Sequence, residues 1–288
     1  MTGPRISVVV PHYNDPIGLG RCLNSLEAQT IGRDAFEIVV GDNDSPCGLE
    51  AVERAVAGRG RIVTIPEKGA GPARNGAAAA ASGEILAFID SDCVAEPGWL
   101  EAGAAAVATG RFIGGRMFVL RPQGAINGAQ ALEMVLAFDN QSYVRDKHFT
   151  VTANLFVMAE DFARVGPFRT GVSEDLEWCH RAIAKGLEIA YAPYAAVGHP
   201  PRDDWAALKG KARRIERELY LFALERPGGR AKWFVRSLLL PGMIAVEAPK
   251  LLRAPQIAGA RVVALVTLVK IRLWRSAAGL RQSLGFDL

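Results

Sequence analysis

The sequence predicts an α/β fold: a mostly parallel central sheet with flanking helices, followed by a helical extension that is both basic and apolar. Three observations predict it. Short β-rich apolar runs at residues 6–10, 37–41, 61–65 and 85–90 alternate with helical stretches. Those runs are continuously apolar, as strands covered on both faces are, rather than alternating polar and apolar. Charge divides the chain sharply. Residues 201–288 hold 17 Lys/Arg against 7 Asp/Glu, whereas residues 1–200 hold 17 against 23, so a formal net charge of only +4 conceals an acidic body and a basic tail. The expected division is a first domain over residues 1–202 and a helical region over 203–288.

The elements follow in order. Residues 6–10 (ISVVV) form a strand closed by Pro11 and a turn. The next stretch is helical, because Leu19, Cys22, Leu23 and Leu26 fall on one face. A second strand at 37–41 (EIVVG) leads through polar turn residues to a helix at 49–56. A third strand lies at 61–65, then an alanine-rich helix around 76–81, then a fourth strand at 85–90 (ILAFID). Residues 111–158 are less regular, with a strand at 112–120, a helical piece near 129–138 and a short apolar run at 154–158. A helix at 176–185 stops at Gly186, and a strand follows at 187–192. From Trp205, the positions Leu208, Ala212, Ile215, Leu219 and Phe222 recur at spacings of three and four and mark a helical seam. Gly228-Gly229 breaks it, and at least two more helical stretches follow.

Composition narrows the function classes. Half the residues are hydrophobic and 22% are charged, which excludes disorder as the dominant state. Cys22, Cys47, Cys93 and Cys179 are far apart with no C-x-x-C pair, which argues against a disulfide framework or a thiolate zinc site and fits reduced thiols in the cytoplasm. The opening residues carry no secretory h-region. No window offers the uncharged apolar length of about 18–20 residues that a bilayer span needs.

In a parallel α/β sheet ligands bind beyond the carboxyl ends of the strands, so the residues just after each strand matter most. Three of the four strand ends carry Asp. Asp90-Ser91-Asp92 ends the apolar run ILAFI, and two carboxylates so placed can share a cation or divide between metal and ribose; oxygen ligands of this kind suit Mg²⁺ or Mn²⁺. Lys68-Gly-Ala-Gly-Pro-Ala-Arg74 runs from a strand end into a helix, where glycines allow close backbone approach and the helix terminus with two cations favours an anion. Glu174-Asp175 opens a helix. Each has a plainer account: a solvated turn, an ordinary glycine loop, acids that merely suit a first helical turn. His199 alone is an ordinary structural histidine unless carboxylates accompany it.

Together the segments ISVVVPHYN, EIVVGDNDS, GPARNGAAAAASGEILAFIDSD, NLFV, SEDLEWCHRAIAKG and VGHP resemble the family 2 glycosyltransferases of GT-A fold over roughly residues 5–200. The resemblance implies an inverting, metal-dependent transfer from a nucleotide-sugar, UDP being the commoner donor nucleotide. It implies that Pro11, Tyr13 and Asp42 frame the base, that Lys68, Arg74 and Glu174 lie along the donor, and that Asp90 meets ribose or metal. Asp92 and His199 would complete the site of a divalent cation, Mg²⁺ or Mn²⁺, and Asp175 would be the catalytic base. One departure is Gly41-Asp42-Asn43-Asp44-Ser45, where many relatives have Gly in place of Asp44. Two alternatives stand beside this reading. One is a catalytically silent nucleotide-sugar-binding protein; the other is a haloacid-dehalogenase-type phosphatase with Asp90 as nucleophile and Asp92 as acid/base.

The basic tail points to an anionic partner. Nucleic acid is set aside, since no helix-turn-helix, RNA-recognition or zinc-finger pattern occurs. Aromatic and cationic residues around apolar helices suit an interfacial anchor, although Arg261 and Lys270 lie on opposite sides of an ideal helix and leave no clean polar face there. The expectation is a cytoplasmic protein peripheral on the inner face of the cytoplasmic membrane, with an anionic membrane surface as partner; the plainer account is that these helices pack on the catalytic domain or dimerise. The acceptor would be a saccharide or a lipid-linked species, as in exopolysaccharide or cell-envelope synthesis.

Overall fold

A computed structural model describes residues 5–287. Two compact units divide them. The first takes the chain up to Phe118 together with Asp139–Thr170 and Glu174–His199; the second takes Val119–Phe138, Gly171–Ser173 and the chain from Pro200 onward.

The first unit is built on one eight-stranded sheet: β1 (Ile6–His12), β2 (Phe36–Asp42), β3 (Arg61–Thr64), β4 (Ile85–Phe88), β5 (Val94–Ala95), β6 (Arg111–Val119), β7 (Leu155–Met158) and β8 (Glu188–His199), in the order β3-β2-β1-β4-β7-β6-β8-β5. The four strands expected from the N-terminal half pair in parallel, with His12 opposite Asp42 and Val9 opposite Phe88. Beyond β4 the pairing turns antiparallel, β4 to β7, β7 to β6 and β5 to β8. The last sequence-predicted strand extends further than its apolar run and carries His199 at its end.

The helices of this unit are α1 (Pro16–Glu27), α2 (Leu49–Val56), α3 (Ala70–Ala80), α4 (Trp99–Ala106), and further along α6 (Asn140–Lys147), α7 (Ala159–Val165) and α8 (Glu174–Ala184); α5 (Gly128–Leu136) belongs to the second unit. The face predicted for α1 is the buried one: Leu19, Cys22, Leu23 and Leu26 are all fully buried. Asp15 caps its N-terminus by accepting from the Gly18 N–H at 2.9 Å. Helix α3 lies hard against β2, because a Cβ on Gly41 would meet the Ala73 carbonyl oxygen at 2.3 Å. Behind the sheet, Phe88, Phe162, Phe168 and Trp178 form one aromatic cluster with ring centroids 5.4–5.6 Å apart. This core anchors α8 and fixes where its first turn emerges.

The second unit adds α9 (Trp205–Leu224), α10 (Gly229–Leu239), α11 (Met243–Arg253) and α12 (Arg261–Ser283). Its core draws on Leu132 of α5, Leu208 and Ala212 of α9, Leu251 of α11 and Leu268 and Ile271 of α12. The seam predicted along α9 is only partly the buried face. Leu208 and Ala212 are buried, but the next inward position is Glu216, fully buried, while Ile215, Leu219 and Phe222 are half-buried and Trp205 is exposed. Two arginines make that burial possible: Arg236 of α10 binds Glu216 at 2.9 and 3.1 Å and Arg275 of α12 at 2.5 Å. A buried carboxylate held by two guanidiniums ties three helices together, and losing both arginines would leave a buried charge without a counter-ion. Among the described residues no helix is long and apolar enough to cross a membrane.

Candidate active site

The parallel half of the sheet brings the ends of β1, β2 and β4 to one edge, and the side chains there fall into three groups.

The first surrounds Asp42 at the end of β2. His12 Nδ1 lies 2.8 Å from Asp42 Oδ1, and the Ser45 hydroxyl donates to the same oxygen at 2.6 Å. The Asp15 backbone N–H donates to His12 Nε2 at 3.1 Å, so Nε2 is the bare nitrogen and the ring proton sits on Nδ1, directed at Asp42. Burial pushes the Asp42 carboxyl up, but the bonds from Ser45 and His12 outweigh it and hold the group below the ordinary carboxylate value. Pro11 is a buried strand residue opposite Gly41. Tyr13 stands exposed beside this group, with the Lys68 ammonium 5.3 Å from its ring centroid.

Lys68 also explains the unusual Asp44. Asp44 has φ +53°, the left-handed conformation that glycine adopts freely and Asp tolerates better than most residues. Lys68 Nζ donates to its carbonyl at 2.9 Å and lies 3.3 Å from its carboxylate. The extra acid thus keeps the loop conformation and holds Lys68 at the loop.

The second group is organised by Arg74, which α3 carries in a buried position. One amino group binds Asp90 Oδ1 at 2.5 Å and the other pairs with Glu174. Asp175 lies within electrostatic reach of both Arg74 and Asp90. Burial alone would favour the neutral guanidine, yet Asp90, Glu174 and Asp175 together raise the Arg74 pKa above its already high ordinary value. Gly71 leaves room for this group, because a Cβ there would sit 2.7 Å from the Glu174 carboxylate and displace it.

Helix α8 begins at Glu174, as expected of a Glu174-Asp175 pair that opens a helix, so both acids lie in its first turn. Thr152 fixes Asp175 by donating from its hydroxyl at 2.7 Å and from its backbone N–H at 3.2 Å, both to Oδ1. Burial dominates the Asp175 environment and raises its pKa; Arg74 and Thr152 pull the other way without cancelling it. Three carboxylates share one guanidinium, and the excess negative charge favours a proton on the cluster.

The third group joins Asp92 to His199. Antiparallel pairing of β5 with β8, Val94 opposite Gly198, delivers His199 to the loop after β4, and its Nε2 lies 3.5 Å from Asp92 Oδ2. Asp92, Cys93 and His199 each offer one ligand atom within 4.8 Å of the others. A carboxylate oxygen and an imidazole nitrogen this close fit a divalent cation of the Mn²⁺ or Mg²⁺ type. Burial, with Asp90 and Asp92 nearby, pushes the Cys93 thiol well up, so it adds no thiolate.

The side chains singled out in the sequence therefore lie at strand ends, in the loop leading into α3 (Lys68), on α3 itself (Arg74) or in the first turn of α8. Thr152 was not singled out, and His12 and Ser45 entered only as members of the strand-end clusters 12–15 and 42–45, with no role of their own. His12 and Ser45 sit inside the quoted strand-end segments, where their adjacency to Tyr13 and Asp42 is the available signal. Thr152 precedes the quoted NLFV run, and nothing in its sequence surroundings announces a bond to a helix more than twenty residues later.

Residues 7–164 match the family described as Glycosyl transferase family 2. Among curated proteins, the chain is 29% identical over 254 residues to "Glycosyltransferase AglE" of Haloferax volcanii, covering 84% of this chain and 82% of that one. It is 38% identical over 109 residues to "Validoxylamine A glucosyltransferase" of Streptomyces hygroscopicus subsp. jinggangensis, covering 36% of this chain and 26% of that one. Among solved structures it resembles the mannosyltransferase PcManGT of Pyrobaculum calidifontis in complex with GDP-Man and Mn²⁺. The TM-score is 0.60 at 18% identity, over 99% of this chain and 76% of that one. It also resembles residues 1–349 of S. aureus TarS in complex with UDP-GlcNAc, with a TM-score of 0.58 at 17% identity over 98% and 92%.

Proposed function

The chain belongs to glycosyl transferase family 2, and from that premise we propose that it is an inverting enzyme moving a sugar from a nucleotide-sugar to a hydroxyl of a saccharide or lipid-linked acceptor. The observation that carries this reading is the convergence of Asp90, Glu174 and Asp175 on buried Arg74, beside the Asp92–His199 pair. The phosphatase alternative needs a free nucleophile at Asp90, which instead is bound to Arg74.

In the proposed reaction, Asp175 takes the proton of the acceptor hydroxyl as its oxygen attacks the anomeric carbon. The bond from that carbon to the diphosphate breaks on the opposite face, giving inversion and a free nucleoside diphosphate. Positioned general-base help of this kind contributes typically about 10²–10⁴-fold. Thr152 holds Oδ1 of Asp175, which directs Oδ2 to the acceptor. Asp42, fixed by His12 and Ser45, reads the base, with Pro11 beneath it and the Tyr13 ring beside it. Arg74 and Glu174 hold Asp90 toward the ribose, and Lys68 at the rim attracts the donor anion. Asp92 and His199 would hold the divalent cation, with Asp90 adjoining; once bound, such an ion supplies Lewis-acid stabilisation of the departing diphosphate. UDP is the nucleotide proposed; TarS bound to UDP-GlcNAc supports it, while PcManGT bound to GDP-Man keeps GDP in the screen.

The catalytic domain proposed here spans residues 1–202, and residues 203–288 attach the enzyme peripherally to the inner face of the cytoplasmic membrane. Exopolysaccharide or cell-envelope synthesis is the setting that such an attachment fits. A nucleotide-sugar panel read by thermal unfolding, with and without Mn²⁺, tests the donor assignment, because ligand bound to the native state raises its stability. Stabilisation by one nucleotide-sugar only when Mn²⁺ is present is expected; no response to any donor would overturn the reading.

A further inference from the structure

Apolar surface is distributed very unevenly. All but four of the exposed large apolar side chains among the described residues lie at or beyond Trp205, the exceptions being Tyr13, Ile17, Leu49 and Tyr194. Helix α12 gives this surface an order. Its inward face, with Ala264, Leu268, Ile271 and Gly279, packs in the core of the second unit. Its outward face carries Val262, Val266, Val269, Leu273 and Ala277, all exposed. At about 100° per residue these five fall within an arc of about 80° and run for about 22 Å. Lys270 and Arg281, both exposed, border the arc on one side. Arg261 and Arg272 share a different side of the helix and turn back into the protein: Arg261 donates to the Ala254 carbonyl and Arg272 binds Glu247. The scatter of charges around this helix in sequence therefore resolves into a clean apolar stripe in the fold.

Charge decides what can cover the stripe. Residues 226–283 contain eleven Lys/Arg and a single acid, Glu247, which is buried. Exposed valines and leucines bordered by cations, on a surface with no exposed carboxylate across that whole segment, are complementary to anionic headgroups above acyl chains. A second copy of the chain would bring like charge against like charge. We propose that the Val262–Ala277 stripe of α12 is the membrane-contacting face. It lies in the plane of an anionic bilayer, with its valines and Leu273 below the headgroups and Lys270 and Arg281 at phosphate level. This rests on the peripheral attachment proposed above and is independent of the chemistry assigned to the active site.

The test uses the full chain and co-sedimentation with vesicles of phosphatidylcholine, alone or mixed with phosphatidylglycerol. The wild type is expected to bind the mixed vesicles, to ignore the neutral ones and to dissociate in high salt. Val266→Asp with Leu273→Asp should weaken binding by at least about tenfold at unchanged far-UV circular dichroism and unfolding temperature. The milder Val266→Ser with Leu273→Ser should give an intermediate loss, and serves should the double aspartate not fold. Lys270→Glu with Arg281→Glu should remove the preference for phosphatidylglycerol. Folded variants that bind like the wild type would overturn the face while leaving the attachment standing. A wild type that ignores both vesicles would overturn both. A wild-type dimer in light scattering, split by the aspartates, would assign the stripe to a second copy instead.

Discussion

Thr152 holds Asp175 by a single oxygen: hydroxyl and backbone N–H both donate to Oδ1, at 2.7 and 3.2 Å. Both bonds favour the ionised carboxylate, against the burial that raises its pKa. Thr152→Val removes the hydroxyl bond and keeps the volume. The acid limb of the kcat–pH profile should then move upward by about one unit, the scale expected for one hydrogen bond to a charged group. Thr152→Ser should restore the wild-type profile. A profile unchanged in Thr152→Val would remove Thr152 from any role in positioning the base.

Asp175→Asn should lower turnover by about 10²–10⁴-fold while sparing donor affinity, measured by titration calorimetry. Its stability has a definite sign. A carboxyl whose folded-state pKa is raised contributes stability that is complete below the unfolded-state value and lost as pH rises through the folded-state value. Asn mimics the protonated form at every pH and still accepts from Thr152, so the variant should unfold at or above the wild-type temperature at pH 7. A clear drop in unfolding temperature would contradict the buried excess charge.

Arg74→Met should be severe for the opposite reason. It leaves Asp90, Glu174 and Asp175 without their shared cation, and breaking a buried ion pair on one side costs about 3–5 kcal/mol. Without Arg74 the Glu174 and Asp175 pKa values rise further, so the loss is largest at neutral pH and shrinks as pH falls and the cluster takes up protons. Chemical denaturation at two pH values reads both the size and the direction.

His199→Ala and Asp92→Ala should each reduce the extra stabilisation that Mn²⁺ gives to the donor complex to the level seen with donor alone. The 3.5 Å approach of the two side chains is the basis for expecting equal effects. Donor-induced thermal shifts with and without Mn²⁺ provide the measurement, and a full cation response in both variants would place the ion elsewhere.

Much of the architecture was legible because it obeys local rules. The continuous apolar runs of β1, β2 and β4 demand cover on both faces, and the spacing of Leu19, Cys22, Leu23 and Leu26 admits only a helix. The strand-end acids followed from that topology. Illegible were the features set by distant partners. The short β5 is a strand only because β8 pairs with it, and α4, α6 and α7 give no long period of their own. Glu216 sits where an apolar seam residue would be expected, and only Arg236 and Arg275, far along the chain, make a carboxylate tolerable there. In the candidate site, the acids could be found from position. That Arg74 binds two of them, that His12 turns its ring proton to Asp42, and that Thr152 reaches Asp175 all depend on contacts made across the fold.

The Arg74 cluster sets how this site can change through descent. Four side chains from three separate stretches of the chain balance one another's charge, so the effect of replacing any one is conditional on the other three. Glu174→Gln in an Arg74→Met background should harm far less than the separate losses imply. Viable histories are therefore those in which acid and cation are exchanged in concert, and the quartet is inherited or abandoned as a block.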